Sequence, residues 1–266
     1  MKWVLNTNLM KVLITGAKGF VGRNLTAALN NAEFRASHSL PEIEIMGFDI
    51  DTPQELLEEY CKQADFVFNL AGIMRPKDPS EFMRDNCHFA DSVLGYLEKA
   101  KNACPVMYAS SIQASLDNPY AESKRAGENL MFEYGKKTGA RVIVYRFTNL
   151  FGRWKRPNAD SVVATFCYNV GRGIPIKVND PSVLMTFAYI DDCVHELALS
   201  ITGKEQCKDG FALLPVTHQI TVGKLAETIT SFKGGFISDE SIIEDTVLLK
   251  ELFTTYQSYL PNNYVE

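Results

Sequence analysis

A chain of 266 residues with 46% apolar residues can bury the core of one large α/β domain, or of a core domain with a small second lobe. Its formal net charge of −5 and the lack of a basic tract argue against a nucleic-acid-binding or anionic-membrane surface. No apolar run approaches the ~20 residues that span a bilayer, and the opening MKWVLNTNLMKVLITG lacks the apolar length and small-residue cleavage site of a secretory signal.

KVLIT (11–15) is a short apolar run ended by glycine and reads as a buried strand. A glycine-rich turn and the helical segment NLTAALNNA follow. EIEIMGF (42–48) reads as a second strand, and TPQELLEEYCKQ (52–63) as a helix with Thr52 as its N-cap and Pro53 in its first turn. DFVFNLAG (65–72) is a third strand. A long helical pattern runs from Ser80 to Ala100. PVMYASS (105–111) is a fourth strand, and a helix is expected over Pro119–Lys137. ARVIVYRFTNLFG (140–152) is a fifth strand running into a loop. Nearly all-apolar strands alternating with helices imply a doubly wound α/β fold, a parallel sheet covered on both faces.

After Gly152 the pattern is less regular. GRWKRPNAD is polar, basic and aromatic, and SVVATFCYNV reads as a helix. IPIKVND and LMTFAYI read as short strands. DDCVHELALSI and TVGKLAETITSF read as helices, the latter opened by Thr221. The expected division is a dinucleotide-binding core over 10–152 and a substrate-binding lobe over 153–266, interleaved with the end of the core. The aromatic ending TTYQSYLPNNYVE is expected to pack on something, either this chain or a segment beyond it. Met1 and Met10 are both plausible starts, since MKVLITGAKG already begins a complete first strand.

The six cysteines (Cys61, Cys87, Cys104, Cys167, Cys193 and Cys207) form no C-x-x-C pair and have no paired histidines beside them. They read as reduced thiols in a cytoplasmic protein, not as a disulfide framework or a metal site.

Three features carry chemistry. TGAKGFVG sets Gly16, Gly19 and Gly22, with Lys18 and Phe20 among them, between a strand and a helix. Such glycines allow a tight turn and close approach of a pyrophosphate to a helix N-terminus. The spacing is G-x-x-G-x-x-G, and a tight turn without a ligand is the alternative. Asp49, after the second strand, can accept hydrogen bonds from a ribose diol and repels a 2′-phosphate, which favours NAD over NADP. Its alternative is a solvated turn aspartate. Lys18 and Arg23 could also meet a phosphate. NLAG supplies Leu70, Ala71 and Gly72, small enough at the turn for a cofactor to lie against the backbone.

DNPYAESK (117–124) places Tyr120 and Lys124 four residues apart, on one face of a helix. An ammonium near a phenol stabilises the phenolate and draws the tyrosine toward working pH. Ser110 and Ser111 end the preceding strand, on the carboxyl edge where such sheets bind ligands. A Tyr-x-x-x-Lys pair alone is weak evidence, because 11 tyrosines and 27 basic residues produce one by chance. Its position after a serine-ended strand is what gives it weight.

GAKGFVG, NLAG, SSIQAS, PYAESK and RFTNLFG, in this order and on these elements, resemble the extended short-chain dehydrogenase/reductase family over residues 11 to about 232. The family consists mostly of nucleotide-sugar epimerases, dehydratases and reductases. The resemblance implies that Tyr120 is the acid/base and that Lys124 binds the nicotinamide ribose and tunes Tyr120. Ser111 would orient the substrate carbonyl, with Ser110 the weaker candidate. Asn86 would complete the tetrad, with a helix-surface amide as the alternative. Asn149 would approach the sugar diphosphate, and Asp192 of YIDD would have a structural role. It also implies a homodimer through the two long helices.

SSIQASLDNPYAESK, NLFGRWKRPN, SVVATFCYNV, KVND and YQSYLP carry a narrower resemblance. They are similar to the reductase half of bifunctional capsular-polysaccharide enzymes that act on a UDP-linked 4-keto-6-deoxy-N-acetylhexosamine. In that group a C-terminal cupin epimerises the sugar, and the reductase half uses NADPH. This chain stops where the cupin would begin, so a stand-alone reductase and part of a longer protein are both open. Asp49 is awkward for strict NADPH use, so the cofactor expectation is NAD(P)H. The arginine expected before YIDD is absent, and Arg153, Lys155 and Arg156 are the substitute candidates for the diphosphate. A solvated basic loop is the alternative for them.

The expected function is NAD(P)H-dependent reduction of a nucleotide-linked 4-keto-6-deoxy sugar. One rival is an epimerase or dehydratase with tightly bound NAD. A dehydratase needs a further acid/base pair, and no carboxylate follows Ser111 before Asp117. The other rival is a dinucleotide-binding sensor, against which the tyrosine–lysine pair argues.

Overall fold

The computed structural model describes residues 9–235 and 243–265. The chain begins with β1 (Met10–Thr15), α1 (Phe20–Asn30), α2 (Ala32–Ser37), β2 (Ile43–Phe48), α3 (Glu55–Gln63) and β3 (Phe66–Asn69). It continues through α4 (Ser80–Phe82), α5 (Phe89–Ala100), β4 (Val106–Ser111), α6 (Pro119–Thr138), β5 (Val142–Phe147), β6 (Asn149–Phe151) and α7 (Val162–Gly171). β7 (Leu184–Tyr189), α8 (Ile190–Ile201), β8 (Cys207–Lys208), β9 (Phe211–Ala212), β10 (His218–Thr221), α9 (Val222–Ser231) and α10 (Thr246–Ser258) complete it.

The described residues fall into two compact units. One runs to Phe147 and takes up Val194–Leu213; the other holds Thr148–Cys193 and the chain from Leu214 onward. The first contains a seven-stranded sheet in the order β2-β1-β3-β4-β5-β9-β8. Its strands are parallel except β8, which is antiparallel to β9. Side chains alternate along each strand. Leu13, Val67, Val106 and Val144 face a core shared with Leu57 and Cys61 of α3, Val93 and Leu97 of α5, and Met131 and Tyr134 of α6. Tyr145 points to the opposite face and donates its hydroxyl to the Glu196 carbonyl of α8 at 3.2 Å. Strands buried on both faces explain the near-continuous apolar runs. Strand order reverses between β1 and β3, and the crevice beyond the carboxyl ends of such strands is where this architecture binds ligands.

The second unit has a three-stranded sheet, β10-β7-β6, with β7 antiparallel to β10 and parallel to β6. Its core joins Phe151 and Phe187 to Phe166 and Cys167 of α7, Leu225 and Ile229 of α9, and Leu248 and Leu252 of α10. Side-chain caps begin its helices: Ser161 accepts from Ala164 N, Thr221 from Lys224 N and Asp245 from Leu248 N. All six cysteines are free thiols, and no helix among the described residues is long and apolar enough to cross a membrane.

Several local expectations need correction. Thr52 does not cap α3, which starts at Glu55 after Gln54; its hydroxyl accepts from Asp49 N and closes the turn after β2. IPIKVND forms no strand. Ile176 and Val178 pack on the second core while their backbone lies outside the sheets. The long helix from Ser80 to Ala100 is interrupted by a π-helical turn, Met83–His88. The fifth strand is two: β5 in the large sheet and β6 in the small one. The aromatic ending starts in the last turns of α10 and continues beyond Ser258, and it packs on its own unit. There Tyr259 is fully buried and donates to the Gly152 carbonyl at 3.2 Å, and Tyr264 stacks on Tyr259 and meets Tyr168 edge-on.

Candidate active site

The glycine turn joins β1 to α1 within the first unit. Gly16 has φ +67°, a left-handed conformation, and a Cβ there would lie 2.9 Å from Ala71 N. A Cβ on Gly22 would lie 2.1 Å from the Gly16 carbonyl oxygen, so the first turn of α1 can close on the loop only because that residue is glycine. The helix begins at Phe20 after Gly19, with no side-chain cap, and a helix N-terminus favours an anion. Thr15, fully buried at the end of β1, donates to Asn69 Oδ1 at 2.8 Å and accepts from Ala71 N at 3.2 Å. Asn69 Nδ2 is buried without a hydrogen-bond partner. The close turn, the uncapped helix start and that donor fit a dinucleotide.

Asp49 lies where the sequence placed it, just after β2. Its Oδ2 accepts from Lys18 N at 2.7 Å and its Oδ1 from Ile50 N at 2.9 Å, so it braces the glycine turn. The Lys18 side chain is ion-paired with Asp51.

Gly72 brings three of the expected residues together. A Cβ there would be 2.6 Å from Asn86 Oδ1 and 3.1 Å from Lys124 Nζ. Asn86 is buried in the π-helical turn. It accepts from Ile73 N (2.9 Å) and donates to the Ile73 carbonyl (3.1 Å) and to Ser123 Oγ (3.1 Å). The amide therefore ties the loop after β3 to α6 and is not a helix-surface group. A π turn is the kind of helix irregularity that gathers at functional sites.

Asn118 caps α6 by accepting from Ala121 N at 2.9 Å, with Pro119 in the first turn. One turn on, Lys124 is buried, donates to the Ala109 carbonyl at 3.0 Å, and lies 5.9 Å from the centre of the Tyr120 ring. Burial lowers its pKa to about 8, and Glu128 opposes that shift. The Tyr120 ring meets Phe82 edge-on at 5.5 Å between centroids.

The two serines at the end of β4 have different surroundings. Ser110 donates to the buried Glu128 at 2.5 Å, and Arg146 of β5 grips the same carboxylate with Nε at 2.8 Å and Nη2 at 2.6 Å. Ser111 accepts from Gln113 N at 3.1 Å and keeps its hydroxyl hydrogen to donate. Glu128, Arg146 and Tyr108 were not among the residues expected from sequence. Tyr108 is fully buried and donates to the Asn86 carbonyl at 3.1 Å. The available signal was Gly127, where a Cβ would fall 2.1 Å from the Tyr108 hydroxyl.

The candidates for holding a diphosphate lie in the second unit. Asn149 donates to the Thr186 carbonyl at 2.9 Å. Arg153 pairs with Asp191 at 3.4 Å and Lys155 with Asp160 at 2.9 Å, while Arg156 is exposed. Trp154 and Asn158 in this loop have positive φ, 66° and 56°.

Residues 12–210 match the model of the NAD dependent epimerase/dehydratase family. The chain is 39% identical over 254 residues to UDP-2-acetamido-2,6-beta-L-arabino-hexul-4-ose reductase of Pseudomonas aeruginosa, covering 96% of this chain and 66% of that protein. It thus spans just under two thirds of that relative's length. The structure of the capsular polysaccharide assembling protein CapF from Staphylococcus aureus superposes with a TM-score of 0.83 at 38% identity, covering 97% of this chain and 68% of that one. RMD from Pseudomonas aeruginosa, solved with NADPH, shares the fold at a TM-score of 0.70 and 19% identity, covering 96% and 98%. The chain belongs to the NAD dependent epimerase/dehydratase family, the extended short-chain dehydrogenase/reductases.

Proposed function

We propose that this chain uses NAD(P)H to reduce the 4-keto group of a nucleotide-linked 6-deoxy (N-acetylamino) sugar, in the synthesis of surface or capsular polysaccharide precursors. The observation that carries this reading is the grouping of the buried Lys124 and Asn86 beside Gly72, with the Tyr120 ring centre 5.9 Å from Lys124 Nζ. The reductase named above, 39% identical, supports the choice of substrate.

The nicotinamide, when bound, supplies the hydride. Tyr120 donates its phenolic proton to the oxygen of the reduced carbonyl, and Ser111 donates a hydrogen bond to that same oxygen. Lys124 stabilises the phenolate left on Tyr120 and offers its remaining protons to the ribose hydroxyls. Asn86 holds the backbone at Ile73, which keeps the loop after β3 in place for the cofactor. Asp49 favours an unphosphorylated ribose, hence NADH over NADPH. The diphosphate is assigned to Asn149, Arg153, Lys155 and Arg156 on the sequence resemblance, and Arg153 and Lys155 would then exchange carboxylate partners for phosphate. The assignment of residues 10–152 to the cofactor and 153–266 to the sugar nucleotide rests on the same resemblance, as does a homodimer through α5 and α6, while a cytoplasmic setting rests on the unpaired cysteines.

A second reading, an epimerase with tightly bound NAD, draws on relatives such as UDP-glucuronate 4-epimerase 4 of Arabidopsis thaliana, 29% identical over 231 residues. Steady oxidation of added NADH or NADPH with a panel of UDP- and dTDP-linked 4-keto sugars separates the two. A reductase consumes one cofactor per sugar, whereas an epimerase consumes none.

A further inference from the structure

Asp192, His218 and Glu251 converge within the second unit, and none of them is among the residues assigned to hydride transfer. Asp192 lies in the first turn of α8, His218 opens β10 and Glu251 lies in α10. One donor atom from each lies within 4.8 Å of the other two. His218 is 6% exposed. Its Nε2, together with Asp192 Oδ2 and Glu251 Oε2, is shielded from solvent, and none of these atoms has a partner in hydrogen-bonding geometry. Nε2 and Glu251 Oε2 are nevertheless only 3.1 Å apart.

The far side of the imidazole explains its orientation. Nδ1 faces Asp245 Oδ2 at 2.5 Å, and Asp245 is itself fixed because its Oδ1 caps α10 at Leu248 N, 3.0 Å away. In the tautomer that donates Nδ1–H to Asp245, Nε2 presents a lone pair to two carboxylates. Three sets of lone pairs then point at one another in a place closed to water, which is costly unless a positive charge joins them. A histidine held by a carboxylate on one nitrogen, with the other turned toward further anionic oxygens, is how proteins orient metal-ligating imidazoles.

We propose that Asp192, His218 and Glu251 bind a divalent transition-metal ion of the zinc class, with Asp245 as the positioning residue for His218. One imidazole and two carboxylates suit zinc, manganese or iron better than calcium or magnesium, whose ligands are nearly all oxygen. Zinc bonds of about 2.0–2.2 Å to nitrogen and oxygen fit donors this close together after small side-chain shifts. The ion would pin α8, β10 and α10 to one another, a structural role that takes no part in reduction. A proton shared between the carboxylates is the competing occupant. Burial first, and then the Asp192 carboxylate, push the Glu251 pKa upward.

The test uses the full chain, stripped with a chelator and titrated with Zn²⁺ alone by calorimetry, then with Co²⁺ by absorption spectroscopy. The proposal expects one equivalent bound, a melting temperature raised by on the order of 5 °C at a hundredfold excess over Kd, and a cobalt spectrum without a thiolate charge-transfer band, which excludes the cysteines. Glu251→Gln and Asp192→Asn should each weaken binding at least tenfold. Asp245→Asn should weaken it by about 10–100-fold without abolishing it. Circular dichroism checks that each variant is folded, and the wild-type titration decides the matter if one is not. No saturable equivalent in the wild type, or a thiolate spectrum, overturns the proposal. So does unchanged affinity in the folded Glu251→Gln variant.

Discussion

The Ser110 hydroxyl donates to Glu128 at 2.5 Å, deep beneath the end of β4. Arg146 bonds both oxygens of that carboxylate, so Ser110 belongs to a buried charged network, and Ser111 is the serine proposed to meet the substrate. Ser111→Ala is expected to lower kcat about 100-fold or more, with little change in melting temperature. Ser110→Ala is expected to do the reverse, costing about 1–3 kcal/mol of stability by removing one hydrogen bond from a buried carboxylate. Kinetics and thermal melts on the two variants distinguish the serines.

Gly72 is predicted to tolerate no side chain. In Gly72→Ala the added carbon meets Asn86 Oδ1 and Lys124 Nζ, and both must move. The expected result is a kcat reduced at least tenfold and a weaker Kd for NAD(P)H, at a stability cost of about 1–3 kcal/mol. Cofactor fluorescence titration and turnover measurements check it.

The charge on Lys124 sets a pH limit. Its pKa of about 8 is below that of an ordinary lysine, ~10.4, chiefly because it is buried. As pH rises through about 8 the folded protein loses this charge, and kcat/KM for NAD(P)H, which reports the free enzyme, should fall. Stability should move the other way. Between about 8 and ~10.4 the unfolded chain binds more protons at this position, so the contribution of Lys124 to stability increases with pH. Lys124→Met should remove that increase. Denaturant melts of both proteins across this window test the sign.

The glycine turn should fail selectively. Gly22→Val places side-chain carbon against the Gly16 carbonyl, where even a Cβ would be 2.1 Å away. Binding of NADH is expected to be lost at concentrations that saturate the wild type. Calorimetric titration with NADH measures this directly.

Most of the first unit was legible because its signals are local. Apolar runs too short for helices, each followed by glycine or serine, mark β1, β3 and β4, and Asn118-Pro119 marks the start of α6. What was not legible depends on distant partners. Thr52 has the composition of a helix cap, but its hydroxyl serves Asp49 instead. Ile176 and Val178 alternate like strand residues, but nothing pairs with their backbone in either sheet. Glu128 and Arg146 read as surface charges on a helix and a strand until the fold brings them together. Among the candidate site residues, Tyr120 and Lys124 are legible from their position after a serine-ended strand and the glycines from their place between a strand and a helix, whereas the support from Tyr108 shows only in three dimensions.

The central claim, that Tyr120 protonates a ketone reduced at this site, is tested most directly by Tyr120→Phe. Single-turnover reduction of a UDP-linked 4-keto-6-deoxy-N-acetylhexosamine should slow by about 10²–10⁴-fold, with the fold and the Kd for NAD(P)H unchanged. Full ketone-reduction activity in the folded variant would contradict the account.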